Sequence, residues 1–156
     1  MINRKILIVF IIFALFACKK DTSPISINFS EIAETDEYNL VLSDDSDDWQ
    51  PRCRSGISGI YCMLPAFPNP TDSVITFVFY SNHPAEVSVS IYDKPNNQIT
   101  EIESANYSTG FNKIEWLIKD ENGKYLENGI YRAYFIFKIN RNNYKSFGDV
   151  LINRAN

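Results

Sequence analysis

From Ser73 to Tyr80 the side chains alternate, with Ile75, Phe77 and Phe79 on one side and Val74, Thr76, Val78 and Tyr80 on the other. Successive side chains of a strand point to opposite faces, so a period of two predicts a strand with one face buried. Glu86 to Tyr92 repeats the pattern with Val87, Val89 and Ile91. A short strand is expected at Ile99–Ile102, and a closing one runs from Tyr144 to Ile152. Turn-forming residues separate these runs: Asn82-His83-Pro84, Lys94-Pro95-Asn96-Asn97, Asp120-Glu121-Asn122-Gly123, Asn128-Gly129 and Asn140-Arg141-Asn142-Asn143. About seven short strands with turns every 8–12 residues or so predict an all-β, immunoglobulin-like antiparallel sandwich. Ahead of them, Ile60–Leu64 is an apolar run expected to end at Pro65. Phe67-Pro68-Asn69-Pro70-Thr71 is rigid and non-helical, because each proline restricts itself and the residue before it.

The stretch Gly110–Lys138 organises the rest. Ile114, Trp116 and Ile118 share a face, and so do Tyr131, Ala133, Phe135, Phe137 and Ile139. Trp116 and Tyr131 are expected on neighbouring strands, filling the space between the sheets. Aromatic side chains carry much of a small core's burial, at about 25 cal/mol per Å². The other face carries Arg132, Tyr134, Ile136 and Lys138, with Leu117 opposite Trp116. If that face is open, Leu117, Tyr134 and Ile136 form a patch suited to a protein or sugar contact. The alternative is that the N-terminal arm, or the other edge of the sandwich, covers it.

The motifs Phe67-Pro68-Asn69-Pro70, Val89-Ser90-Ile91-Tyr92-Asp93, Gly110-Phe111-Asn112-Lys113-Ile114-Glu115-Trp116, Asp120-Glu121-Asn122-Gly123-Lys124 and Asn128-Gly129-Ile130-Tyr131 follow one another in this order. The series resembles the FlgD-type immunoglobulin-like domain. It is also similar to the C-terminal sorting domains of the type IX secretion system of Bacteroidetes. The resemblance spans roughly Leu64 to Ile152 and implies the sandwich fold; the module occurs in many exported proteins and implies no single function. One turn departs from the pattern. Asp93-Lys94-Pro95-Asn96-Asn97 has no glycine, so an asparagine must supply the left-handed conformation.

The N-terminus reads as an export signal. Arg4 and Lys5 precede an apolar run, Ile6–Phe16. That run is too short for a membrane span, which needs roughly 20 residues, and fits the core of a signal peptide. Leu15-Phe16-Ala17-Cys18 resembles a bacterial lipobox, which implies cleavage before Cys18 and lipidation of its thiol. The acyl chains would then anchor the protein, at about 0.8 kcal/mol per buried methylene. The expected organisation is a signal peptide at 1–17, a lipid-anchored tether or partly ordered arm at 18–57, and the sandwich at 58–156. In Bacteroidetes-type bacteria an acidic run directly after the anchor cysteine accompanies export to the surface. Cys18-Lys19-Lys20-Asp21-Thr22 is a poor match, so the periplasmic face of the outer membrane is favoured over the cell surface.

Charge narrows the partners. The full chain of 156 residues has 15 Lys and Arg against 19 Asp and Glu, a net −4. Removal of residues 1–17 takes Arg4 and Lys5 and no acid, leaving 139 residues at −6. An acidic chain without a basic cluster excludes nucleic acid as the expected partner, and leaves membrane attachment to the lipid. The acidic run Ser43-Asp44-Asp45-Ser46-Asp47-Asp48 is expected to be solvated and mobile. A calcium site there would lack the turn glycine and the distal glutamate of a calcium loop. Within the arm, Ile25-Ser26-Ile27-Asn28-Phe29 alternates like a strand and Tyr38-Asn39-Leu40-Val41-Leu42 is apolar. Arms of this kind can add a strand to a partner's sheet.

With Cys18 assigned to lipid, Cys53 and Cys62 remain, in a compartment that permits disulfides. A bridge is expected, stabilising by about 2–3 kcal/mol. The competing readings are free thiols or a metal pair; His83 is the one histidine and no second cysteine pair exists. No catalytic constellation is legible. His83 sits in a turn beside Pro84. Glu101 and Glu103 are expected on one face of a polar edge strand, where they keep it soluble. Asp120 and Asn122 fit a hairpin turn better than half a calcium loop. No cofactor is expected. The sequence therefore points to a non-enzymatic outer-membrane lipoprotein, a structural or interaction subunit with an envelope protein as its partner. A surface ligand-binding module, for example for glycans, is the alternative.

Overall fold

The computed structural model describes residues 31–53 and 59–155. Met1–Ala17, Cys18 and Ile25–Phe29 lie outside the described residues. The period-two segments become strands: β3 (Tyr61–Phe67), β4 (Ile75–Ser81), β5 (Ala85–Tyr92), β6 (Gln98–Tyr107), β7 (Gly110–Trp116), β8 (Gly129–Ile139) and β9 (Asn142–Ile152). They form an immunoglobulin-like sandwich of two antiparallel sheets, one ordered β3-β4-β7 and the other β6-β5-β8-β9. Two further short strands, β1 (Glu34–Thr35) and β2 (Val41–Ser43), form a separate antiparallel hairpin in the arm.

The alternation predicts the core faithfully. Ile75, Phe77 and Phe79 of β4 face Val87, Val89 and Ile91 of β5 and Ala133, Phe135 and Phe137 of β8, all fully buried. Facing rings pack edge-on, Phe77 against Phe135 at 5.4 Å and Phe79 against Phe137 at 5.3 Å. This is the tilt that aromatic quadrupoles prefer.

Several expectations need correction. Trp116 and Tyr131 are not on neighbouring strands: β7 pairs with β4, whereas β8 pairs with β5 and β9. The chain crosses between sheets over residues 117–128. The Asp120 turn closes on itself, since Asp120 N–H donates to the Lys124 carbonyl and Leu126 N–H to that of Ile118. Trp116 is buried at this crossing, its indole N–H donating to the Lys119 carbonyl, while Tyr131 is only half-buried. β3 runs through Pro65 instead of ending there. It is a sheet-edge strand with a register shift between Leu64 and Phe67, and an edge bulge tolerates a missing N–H. β6 is longer than expected. A register shift within it places Glu103 opposite core-facing Val89 and Glu101 opposite outward Ser90, so the two carboxylates do not share a face. Asn96 does take the left-handed conformation, with φ 71°.

The acidic run is the largest departure. Asp48 and Trp49 are buried, and Trp49 lies within the core against Phe77 and Phe135, at 5.8 and 6.3 Å. The Trp49 ring occupies the space above Gly148, where a Cβ would lie 2.1 Å from its Cε2 atom. The end of the arm is thus part of the sandwich, not a solvated tether.

Candidate interaction surface

The arm enters where the edge strands of the two sheets, β3 and β9, leave their outer backbone groups unpaired. It uses both edges. Trp49 N–H donates to the Phe147 carbonyl at 2.7 Å, Met63 N–H to the Pro51 carbonyl at 2.8 Å, and Cys53 N–H to the Met63 carbonyl at 2.8 Å. The Cys53–Cys62 disulfide then fastens the arm to β3. Further along β9, Asn69 satisfies the edge with its side chain. Its amide donates to the Asp149 and Ala33 carbonyls at 2.9 Å each, and its Oδ1 accepts from Leu151 N–H at 2.9 Å. One fully buried asparagine therefore joins the start of the arm to the edge of the four-stranded sheet.

A charged cluster completes the clamp. Arg132 forms two 2.7 Å hydrogen bonds to the Asp149 carboxylate, one to each oxygen, and lies over the Phe147 ring at 4.2 Å. Asp48 Oδ1 accepts from Asp149 N–H at 3.1 Å, and its Oδ2 from Ala33 N–H at 3.4 Å. Burial, and then the charge of Asp149, push the Asp48 carboxyl up to about 7. Arg52 pairs with Asp44 and donates to the Asp45 carbonyl. The carboxylates of Asp45, Asp47 and Asp48 gather within 4.8 Å of one another. Three of these six oxygens hold backbone: Asp45 Oδ1 accepts from Asp47 N–H, and both Asp48 oxygens are taken as above.

What the clamp holds out is the β1–β2 hairpin. Its turn is set by Asp36, whose Oδ1 accepts from Tyr38 N–H at 2.9 Å and Leu40 N–H at 2.8 Å, with Asn39 left-handed at φ 64°. β1 is tied to the sandwich through Thr35, which exchanges backbone hydrogen bonds with Asn69 at 2.8 and 3.2 Å. Among the described residues, β2 pairs with β1 alone, and all three of its residues are exposed. Tyr38, Leu40 and Leu42 are 82, 62 and 63% exposed, with Val41 also open. Contiguous exposed apolar residues on a positioned element are the mark of a contact surface.

The face expected from the sequence does not assemble. Tyr134 and Ile136 lie on the outer side of the four-stranded sheet, half-buried, opposite Ser90 and Ser88 of β5. Leu117 follows β7 in the three-stranded sheet, 55% exposed. Two sheets of a sandwich turn their outer faces in opposite directions, so no single partner surface spans all three residues. Arg132, expected on that open face, is buried against Asp149. His83 is exposed in its turn, its Nδ1 beside Asn82 Oδ1. The Tyr38–Leu42 run was visible in the sequence as an apolar interruption of an acidic arm. What the sequence lacked was the clamp on either side that makes it a fixed surface.

No family model and no curated protein matches the chain. Among solved structures it is similar to dimeric latent PorU from Porphyromonas gingivalis, with a TM-score of 0.53 and 18% identity. The match covers 67% of this chain and 10% of the PorU chain, so the chain spans about a tenth of PorU's length and the likeness is one of fold.

Proposed function

We propose that this chain is a lipid-anchored protein of the outer membrane that serves as a non-catalytic interaction subunit of a cell-envelope assembly. The observation carrying this reading is the clamped hairpin, which holds Tyr38, Leu40 and Leu42 in solvent instead of in the core. Ordering those apolar side chains outside the core costs free energy that a partner's surface can return. The signal-like N-terminus and Cys18 supply the address, and the lysines after Cys18 favour the periplasmic face. The sorting-domain-like motif order supports an exported protein of this kind.

The test is membrane fractionation followed by affinity recovery from detergent. Cys18→Ser is expected to move the protein from the membrane to the soluble fraction; unchanged membrane retention refutes the lipid anchor. The native chain is expected to recover a stoichiometric envelope protein, and the Leu40→Ser, Leu42→Ser double variant to lose it. Recovery of the native chain as a lone monomer refutes the interaction role.

A further inference from the structure

We infer that the outer edge of β2 receives an extended strand of a partner protein whose flanking side chains are lysine and arginine. This rests on the interaction reading above and names the partner's chemistry. Among the described residues, β2 has β1 on one side and no strand on the other. The neighbouring edges are closed. β3 and β9 are met by the arm, and Asn69, Thr71 and the Tyr61 hydroxyl take further groups of β9. Among the described residues, the ladder left free to a partner strand approaching this side is the one at Val41–Ser43. Leu42 lies on that strand and Leu40 just before it, both exposed, within reach of the side chains of an added strand.

Charge selects the occupant. Between Glu31 and Gln50 the chain has eight acidic residues and no lysine or arginine. Arg52 is the next cation, and Asp44 already holds it. A second copy docked through the same edge would bring two such acidic arms together within a Debye length, about 10 Å at 0.1 M salt. An anionic bilayer is repelled for the same reason. A strand flanked by cations gains steering and register from the same field.

Two experiments on the full chain in detergent test this. In the first, the probe is a short, end-blocked peptide alternating lysine with valine, set against its glutamate–valine counterpart. The lysine peptide is expected to slow amide hydrogen exchange at Val41–Ser43 by about tenfold, weakening as salt rises. The glutamate peptide is expected to have no effect. The Leu40→Ser, Leu42→Ser variant, whose changes are confined to exposed side chains, is expected to abolish the protection. Equal effects of the two peptides, protection on β6 instead, self-association without peptide, or binding of the Cys18→Ser chain, which has no acyl anchor, to phosphatidylethanolamine–phosphatidylglycerol vesicles would each overturn the inference.

In the second, a photoreactive residue replaces Leu42 or, separately, Phe111 in cells. A protein adduct from position 42 on a Lys- and Arg-rich segment supports the inference. An adduct on residues 25–29 of the same chain, on an uncharged or acidic segment, or from position 111 alone overturns it. The last of these leaves the interaction role standing, whereas the lack of any protein adduct from either position removes both.

Discussion

Replacing Gly148 by alanine tests whether the arm is part of the core. The glycine's backbone lies outside the left-handed region, so alanine brings no conformational strain of its own. The whole effect is steric. The new Cβ would stand 2.1, 2.2 and 2.5 Å from Trp49 Cε2, Cδ2 and Cε3, all ring atoms that cannot bend away. The ring must leave or the strand must move. Overfilling a packed core costs about 1–3 kcal/mol when the neighbours can shift. Full eviction forfeits the burial of an indole, and loss of a large aromatic costs about 3–5 kcal/mol. Gly148→Ala is therefore expected to destabilise by about 3 kcal/mol, and Trp49→Ala by about 3–5 kcal/mol. Because both act on one contact, the double variant should be less destabilised than the sum, by more than about 1 kcal/mol. Urea denaturation followed by far-UV circular dichroism reads all four corners of the cycle, with the disulfide intact. A neutral Gly148→Ala, or strict additivity, would show that Trp49 does not occupy the core above β9.

Two further outcomes follow from the same clamp. Asp48 has its carboxyl raised from 3.8 to about 7, so the folded state binds its proton more tightly than the unfolded one. Its contribution is then most favourable below about pH 4 and is lost as pH rises through about 7. The titratable groups around it are Asp45 and Asp47, whose carboxylates lie within 4.8 Å of it, and Asp149. Stability measured from pH 5 to 8 should fall across that window, and Asp48→Asn should flatten the fall; an unchanged slope refutes the assignment. Breaking the Cys53–Cys62 bridge with a paired Cys→Ser variant should cost about 2–3 kcal/mol and raise hydrogen exchange in residues 48–53 ahead of β5 and β8. Uniform loosening of the sandwich would show that the bridge does not act on the arm.

The fold was legible from β4 onward because one face of each strand is buried and the other is not. That asymmetry writes a period of two into the sequence, and Phe77, Val89 and Phe135 fall where it puts them. The glycine-free turn at Asn96 was legible for a local reason, since few residues other than asparagine accept a positive φ. β3 was misjudged because Pro65 reads as a stop unless the strand is known to be an edge. The contact face failed for a related reason. Leu117, Tyr134 and Ile136 are correctly outward on their strands, but the sequence does not say which sheet each strand joins. The acidic run misled most, because a local charge density predicts solvation. Asp48 escapes that rule by accepting two backbone N–H groups, and Trp49 by finding a slot over Gly148, about a hundred residues away in sequence.

The sequence by itself determined the strands from β4 onward, most of their buried faces, the turns and the cysteine pair. All of these rest on neighbours within a few positions. Only the tertiary structure decided that residues 48–53 close the gap between β3 and β9, and that the Tyr38–Leu42 hairpin is thereby held in the open. Those outcomes depend on unpaired edge groups and a missing Cβ on distant strands, and pairings of that kind leave no periodicity for a sequence to show.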